Sequence, residues 1–248
     1  MTLDRPQARN SLSEAMLAAL QSAIDEVSVD PTVAAVVIAA EGPAFSAGHD
    51  MKEMTARRSD ADGGKAYFDD LMQRCARMMQ AIVTSPKPYI AAVEGVASAA
   101  GYQLVATCDL AVAGAAARFC TPGVNIGLFC STPMVALSRN VSRKRAMEML
   151  LLGEMIGASE AADYGLVNRV VAEGAALAEA LAMAEIIASK STATVAIGKR
   201  AFYDQLEQPL AEAYALAAKA MVENMLYRDA EEGIGAFIDK RKPQWRGC

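Results

Sequence analysis

KPYIAAVEGVASAAGYQLVATCDLAVA, residues 87–113, decides the fold. The apolar run within PKPYIAAVEG (86–95) suits a strand buried on both faces, as in a parallel sheet. Small residues then carry the chain into a helix over about 100–107, and a further strand covers Leu110–Ala113. A strand that turns through small residues into a helix and returns as a strand defines an α/β unit. Outward from it, VAAVVIAA (33–40) is a second buried strand, and Arg118–Cys120 a short one.

Ser13 is a suitable N-cap for an amphipathic helix, with Leu12 stapling onto Leu17 and Leu17, Leu20, Ile24 and Val27 on one face. Residues 41–54, EGPAFSAGHDMKEM, read as a small-residue loop, and the polar residues 55–65 as a mobile one. A helix follows at about 66–83. From Pro133 the pattern turns helical, over about 133–139, 143–152, 159–164, 174–188, 192–206, 209–226 and 230–239. Strand–helix units fill the first half and helices the second. We expect a core over residues 1–190 and a helical region over 191–248, acting as one functional unit.

Composition removes several classes. The 248 residues are 53% hydrophobic and 21% charged, which excludes disorder. A net charge of −5 supplies no broad basic surface for nucleic acid, although a small polyanion needs only a few cations and backbone N–H groups. Five cysteines without CxxC spacing read as reduced thiols, and a single histidine, His49, argues against a His/Cys zinc site; no metal is expected. No eighteen-residue apolar run and no signal peptide are present, so no membrane partner is expected and a cytoplasmic protein is. No GxGxxG stands at a strand–helix turn, which removes a dinucleotide-dependent oxidoreductase.

Two small-residue segments could carry chemistry. AFSAGHD (44–50) and GVASAAGYQLVATCD (95–109) each follow a strand, and each could present a free backbone N–H, the second at a helix N-terminus. Two such groups converging make an oxyanion hole, which stabilises a thioester enolate. The alternative is that small residues merely permit close helix–sheet packing.

LDRPQARNSLS (3–13), GPAFSAGHDMKEM (42–54), residues 87–113, GLVNRV (165–170) and EEGIGAFIDKRKPQW (231–245) together resemble the enoyl-CoA hydratase/isomerase (crotonase) family, in order and spacing along the whole chain. The resemblance implies an α/β fold, a crotonase-like ββα spiral with a C-terminal helical trimerisation region. It implies a homotrimer or hexamer, and a lyase or isomerase of fatty-acid metabolism acting on an acyl-CoA. Coenzyme A arrives as part of the substrate, with no separate cofactor. By position, the N–H groups of His49 and Ala100 form the oxyanion hole. Ala8 and Arg9 line the coenzyme A channel, the carbonyls of Ala47 and Met51 face the adenine, Lys52 lies near the phosphates, and Asp50 belongs to the same cofactor-binding segment. Lys240 or Lys242 reaches the nucleotide of a neighbouring subunit. In a eukaryote the compartment implied is the mitochondrial matrix.

The chain departs from the pattern. Where the family's hydratases place two glutamates around a water, it has Gln103 and Gly123. Gln holds a water without taking its proton, and Gly does neither. Ala100 replaces a usual glycine, which preserves the N–H provided the backbone needs no positive φ. His49 is left as an acid/base or thioester-orienting group, or as a histidine whose ring only bonds a neighbouring loop. Asp69, Asp70 and Tyr67 belong to the helix that covers the acyl pocket in this family, with Asp69 a further acid/base candidate. Glu94 and Asp50 read as loop-fixing groups, Ser131 or Thr132 as an N-cap. The family also has a strand or hairpin ahead of the LDRP segment, and this chain starts at its end, implying a late start or a shortened first turn. The reactions left open are residual hydration, isomerisation, decarboxylation and thioester hydrolysis, or acyl-CoA binding without catalysis.

Overall fold

Apolar runs without polar alternation need cover on both sides, and the fold supplies it. The computed structural model describes residues 1–248. Its strands are β1 (Thr2–Leu3), β2 (Val36–Ala40), β3 (Tyr89–Val93), β4 (Val96–Ser98), β5 (Leu110–Gly114), β6 (Arg118–Cys120), β7 (Ile156–Gly157) and β8 (Arg169–Val171). One sheet runs β1-β2-β3-β5-β8, parallel throughout; a second runs β4-β6-β7. Val36 pairs with Tyr89, and Ile90 with Leu110.

The helices are α1 (Glu14–Val29), α2 (Met51–Ala56), α3 (Lys65–Thr84), α4 (Ala100–Thr107), α5 (Pro133–Asn140), α6 (Arg143–Leu152), α7 (Ala158–Asp163), α8 (Ala176–Ala188), α9 (Thr192–Leu206), α10 (Leu210–Met225) and α11 (Arg228–Ile238). Each turn of the spiral takes one strand in the first sheet, one pairing in the second, then helix. β2 leads through the Ser46–Ala97 bridge to α2 and α3, β3 and β4 lead to α4, and β5 and β6 to α5 and α6.

Alternation along the strands divides the core in two. Ala91 and Val93 join the large cluster with Leu71, Met78 and Tyr102, whereas Ile90, Ala92 and Val112 face Ala176, Ala180 and Met183 of α8. Glu94 fixes that second layer: its Oε1 accepts the Ala176 N–H at the start of α8.

One sequence expectation changes, and two short strands are added to it. Residues 51–56 are helical rather than loop, because the Asp50 carboxylate accepts the N–H groups of Lys52 (3.1 Å) and Glu53 (3.5 Å) and so starts a helix. β4 and β8 are three-residue strands whose pairing comes from their neighbours rather than from an apolar pattern of their own. Ser13 caps α1 as expected, accepting from Met16 N–H.

α9 docks on the core through a buried ionic group. Lys199 Nζ donates to Ile82 O (2.9 Å), Lys87 O (2.8 Å) and Asp109 Oδ2 (2.8 Å). Asp109 also accepts Tyr203 OH and Tyr89 N–H. The C-terminal segment folds back beside α11. The buried Asp229 carboxylate accepts the N–H groups of Arg246 and Gly247, Glu232 holds Arg241 and Gln244, and Trp245 Nε1 donates to Ser189 O. No single helix is long and apolar enough to cross a membrane.

Candidate active site

The site begins with a turn that sequence chemistry fixes. Arg9 and Asn10 both take positive φ (50° and 51°), a conformation asparagine tolerates better than most residues. Asn10 holds it: its Oδ1 accepts Arg5 N–H at 2.7 Å, and its Nδ2 donates to Glu41 O and Ala44 O, each at 2.8 Å. Arg9 O then receives Ala47 N–H at 3.0 Å, so the Ala8–Arg9 turn lies against Ala47. Asp50 ties the other end, bonded to Arg5 and Ser11.

From there the chain passes Gly48 (φ +88°). A Cβ on Gly48 would lie 3.0 Å from both Ala99 Cβ and Ser98 O, and 3.2 Å from Ala100 N. The Gly48 loop is thus seated on the N-terminus of α4. Gly101 tightens the same contact, since a Cβ there would meet Ser46 O at 2.2 Å. His49 N–H and Ala100 N–H lie on the two sides of this junction. Ala100 opens α4, where no carbonyl one turn earlier is helical. His49 N–H donates to no protein acceptor, while its neighbour Gly48 N–H bonds Ser46 Oγ.

The strain of the turn falls one residue before Ala100. Ala99 takes φ 50° and ψ −116°, a region costly for any side chain, while Ala100 itself is helical. Replacement of glycine at 100 therefore leaves that N–H in place; the position where glycine would relieve strain is 99.

The side chains around the junction are short of partners. His49 Nδ1 lies 3.4 Å from Leu12 O, so the proton sits on Nδ1 and Nε2 is a free acceptor, enclosed and without a partner. Burial pulls the imidazole pKa below its ordinary 6.5, outweighing the bond to Leu12, which keeps the ring neutral at pH 7. Gln103 is 5% exposed and its Oε1 has no partner. Helical side chains lean toward the N-terminus, so the carboxamide covers the turn that begins at Ala100.

Gly123 is buried in a 3-10 turn (Pro122–Ile126), and a Cβ there would lie 3.0 Å from both Leu128 O and Cys130 Sγ. The place of a side chain is taken by the 128–130 loop. Asp69 is exposed and accepts a hydrogen bond from Gln73, and Asp70 pairs with Arg74; neither joins the junction. Tyr67, on the same turn of α3, is half-buried, with its hydroxyl enclosed beside the Glu14 carboxylate.

Arg9, Ala47, Met51 and Lys52 are all exposed on this side of the molecule, and neither Arg9 nor Lys52 has an acidic partner. Lys240 and Lys242 are exposed on the segment leaving α11. Sequence reasoning passed over Lys199, Asp109 and Asp229. A lysine in the middle of a helix and aspartates at element ends look like solvated charges until the fold buries them.

A ββα spiral with small-residue loops meeting at a helix N-terminus defines a class, and comparison with known proteins agrees. The enoyl-CoA hydratase/isomerase family matches residues 1–248, and the chain belongs to that family. It is 49% identical over 245 residues to rat enoyl-CoA hydratase domain-containing protein 3, mitochondrial, covering 99% of this chain and 80% of that protein. The crystal structure of an enoyl-CoA hydratase from Mycobacterium smegmatis superposes with a TM-score of 0.94 at 54% identity, covering 98% of this chain and 93% of that one. That of human enoyl-CoA hydratase domain-containing protein 3 gives 0.93 at 49% identity, covering 98% and 94%.

Proposed function

We propose that this protein binds an acyl-CoA and polarises its thioester carbonyl between the N–H groups of His49 and Ala100, stabilising an enolate. The observation that carries this reading is the junction itself, where two unpaired backbone donors flank a glycine seated against a helix N-terminus. Fixed donors of this kind need no reorganisation as charge develops, and each is worth roughly 10²- to 10³-fold in rate.

The coenzyme A part lies along the Ala8–Arg9 turn and Ala47, with Met51 beside the adenine and Arg9 and Lys52 toward the phosphates. Asp50 shapes this surface rather than touching the nucleotide, since its oxygens are used on Arg5, Ser11 and α2. Lys240 or Lys242 serves a neighbouring subunit. The assembly is a homotrimer or hexamer built on the C-terminal helices, whose Leu210, Tyr214, Leu226 and Phe237 are at least 72% exposed in the single chain. The compartment is the cytoplasm, or the mitochondrial matrix in a eukaryote.

Hydration by two carboxylates is not the chemistry we assign. Gln103 cannot accept a proton, and Gly123 has no side chain, with Leu128 O and Cys130 Sγ in tight contact where its Cβ would be. Isomerisation or decarboxylation fits better, because each needs the oxyanion hole and at most the neutral imidazole of His49 as base. The same two positions favour a second reading, an acyl-CoA-binding oligomer without turnover.

Three measurements on one preparation separate these. They are hexanoyl-CoA affinity, hydration of 2-hexenoyl-CoA, and exchange of the hexanoyl-CoA α-hydrogens in D2O. We expect binding and exchange without hydration at ordinary enzyme rates. Binding without exchange would select the non-catalytic reading, and rapid hydration would overturn the argument from Gln103 and Gly123. A Gln103→Glu variant tests the hydratase position directly; Gly123→Glu would first have to displace the 128–130 loop.

A further inference from the structure

Two segments meet at the Gly48–Ala100 junction, and one buried residue is bonded into both. Ser46 is 0% exposed and uses every polar atom it has. Its N–H donates to Val96 O (3.1 Å) and its carbonyl accepts Ser98 N–H (2.9 Å). These bonds fasten it to β4, the strand that runs into Ala99 and Ala100. Its hydroxyl serves the other segment, donating to Asn10 O at 2.8 Å and accepting Gly48 N–H at 3.3 Å. No other side chain bonds the backbone of residues 47–49.

We propose that Ser46 is a positioning residue, whose hydroxyl sets where His49 N–H stands relative to Ala100 N–H. This rests on the acyl-CoA reading above and acts only through those two donors, since both bonds of the enclosed hydroxyl are to protein. A glycine at φ +88° has wide conformational freedom, so Gly48 must be held from outside. The peptide after it is held by Leu12, whose N–H donates to Gly48 O at 2.8 Å. In a trans peptide the N–H points opposite to the C=O, so that bond turns His49 N–H away from Leu12. The peptide before it is held through Gly48 N–H by the Ser46 hydroxyl. With both peptides fixed, the angles between them are fixed as well.

Ser46→Ala isolates this role. It keeps both backbone bonds to β4 and removes only the hydroxyl. It adds no bulk where packing is already close: a Cβ on Gly101 would lie 2.6 Å from Ser46 Cβ. The Ala8–Arg9 turn keeps its own support, because the Asn10 side chain still bonds Arg5, Glu41 and Ala44. The damage should therefore fall on polarisation of the thioester carbonyl, with coenzyme A affinity kept.

The test uses hexanoyl-CoA carrying carbon-13 at the thioester carbonyl. Infrared difference spectra give the downshift of the bound carbonyl stretch, which reports polarisation rather than protein stability. Titration gives affinity, and α-hydrogen exchange in D2O gives rate. The proteins compared are the wild type, Ser46→Ala, Ser46→Cys and Tyr203→Phe. Ser46→Cys offers a weaker hydrogen-bonding group. Tyr203→Phe removes the hydroxyl bond to Asp109 and serves as the stability control. The wild type and Tyr203→Phe should show the same downshift. Ser46→Ala should show a smaller one, with unchanged affinity and exchange at least about tenfold slower, and Ser46→Cys should fall between. Should Ser46→Ala be recovered unfolded, Ser46→Cys carries the same comparison. A full downshift and full rate in both Ser46 variants would overturn the proposal. So would an equal loss in Tyr203→Phe, which would assign the effect to stability alone. If the wild type binds no thioester, or binds it without a downshift, the acyl-CoA reading itself fails, and this inference with it.

Discussion

Gly101→Ala is the smallest change that should damage the site while leaving the fold standing. Its Cβ would lie 2.2 Å from Ser46 O, where ordinary contact begins at 3.4 Å. Closing that gap, 3.4 − 2.2 = 1.2 Å, requires α4 to back away from Ser46 by about 1 Å. Ser46 has little freedom to yield, because its Oγ bonds Asn10 O at 2.8 Å and its backbone is bridged to β4. Overpacking of this kind costs roughly 1–3 kcal/mol. For a chain of this size each kcal/mol lowers the thermal midpoint by about 2–4 °C. The shift also separates Ala100 N–H from His49 N–H, and a 1 Å error in a reacting geometry costs on the order of 100-fold. Thermal unfolding by circular dichroism and α-hydrogen exchange of hexanoyl-CoA read the two effects. An unchanged midpoint with unchanged exchange would refute both the contact and the role given to the junction.

The same substitution in open space should have the opposite sign. Gly198 lies within α9 with nothing near its missing Cβ, so Gly198→Ala should stabilise by about 0.4–1 kcal/mol in urea unfolding. Ala99→Gly, which relieves φ 50° at the cost of a more flexible unfolded chain, should raise stability by roughly 1 kcal/mol without reducing acyl-CoA affinity. Lys199→Met strands Asp109 and two carbonyls and should cost about 3–5 kcal/mol by the same assay. At Asp229, burial raises the pKa, but bonds from Ser191, Arg246 and Gly247 outweigh it and hold the pKa below 3.8. A depressed carboxylate pKa means this grip is full above about pH 4 and is lost as pH falls through the lower folded value. Trp245 is the sole tryptophan, so its emission should red-shift in that window, and at pH 7 in Asp229→Ala, with helix content unchanged.

Much of this molecule is legible in its sequence, and the exceptions have causes. Strands 89–93 and 110–114, helix 100–107 and the capped start of α1 carry their own apolar runs or caps, and local chemistry suffices to read them. β4, β7 and β8 are two or three residues long and exist because a neighbour offers hydrogen bonds. α2 hid because its cap, Asp50, also looks like a loop residue. In the site, the converging loops were readable from their small residues. The packing of Leu128 and Cys130 against Gly123, five and seven positions away, and the enclosure of the Tyr67 hydroxyl beside Glu14 of another helix appear only in three dimensions.

The order of pairing in the parallel sheet also says how the chain can be assembled during synthesis. Every new strand of that sheet adds beside one already laid down, β2 on β1, β3 on β2, β5 on β3 and β8 on β5. A polypeptide emerging from its N-terminus can therefore wind turn by turn, as repeat arrays do, with each edge covered by what comes next. Nothing in the sheet waits for residues beyond Val171. The clamp beside α11 is the contrast, since Asp229 closes on Arg246 and Gly247, which follow it by 17 and 18 residues. A chain truncated at residue 240 should therefore keep the spiral and loosen α11.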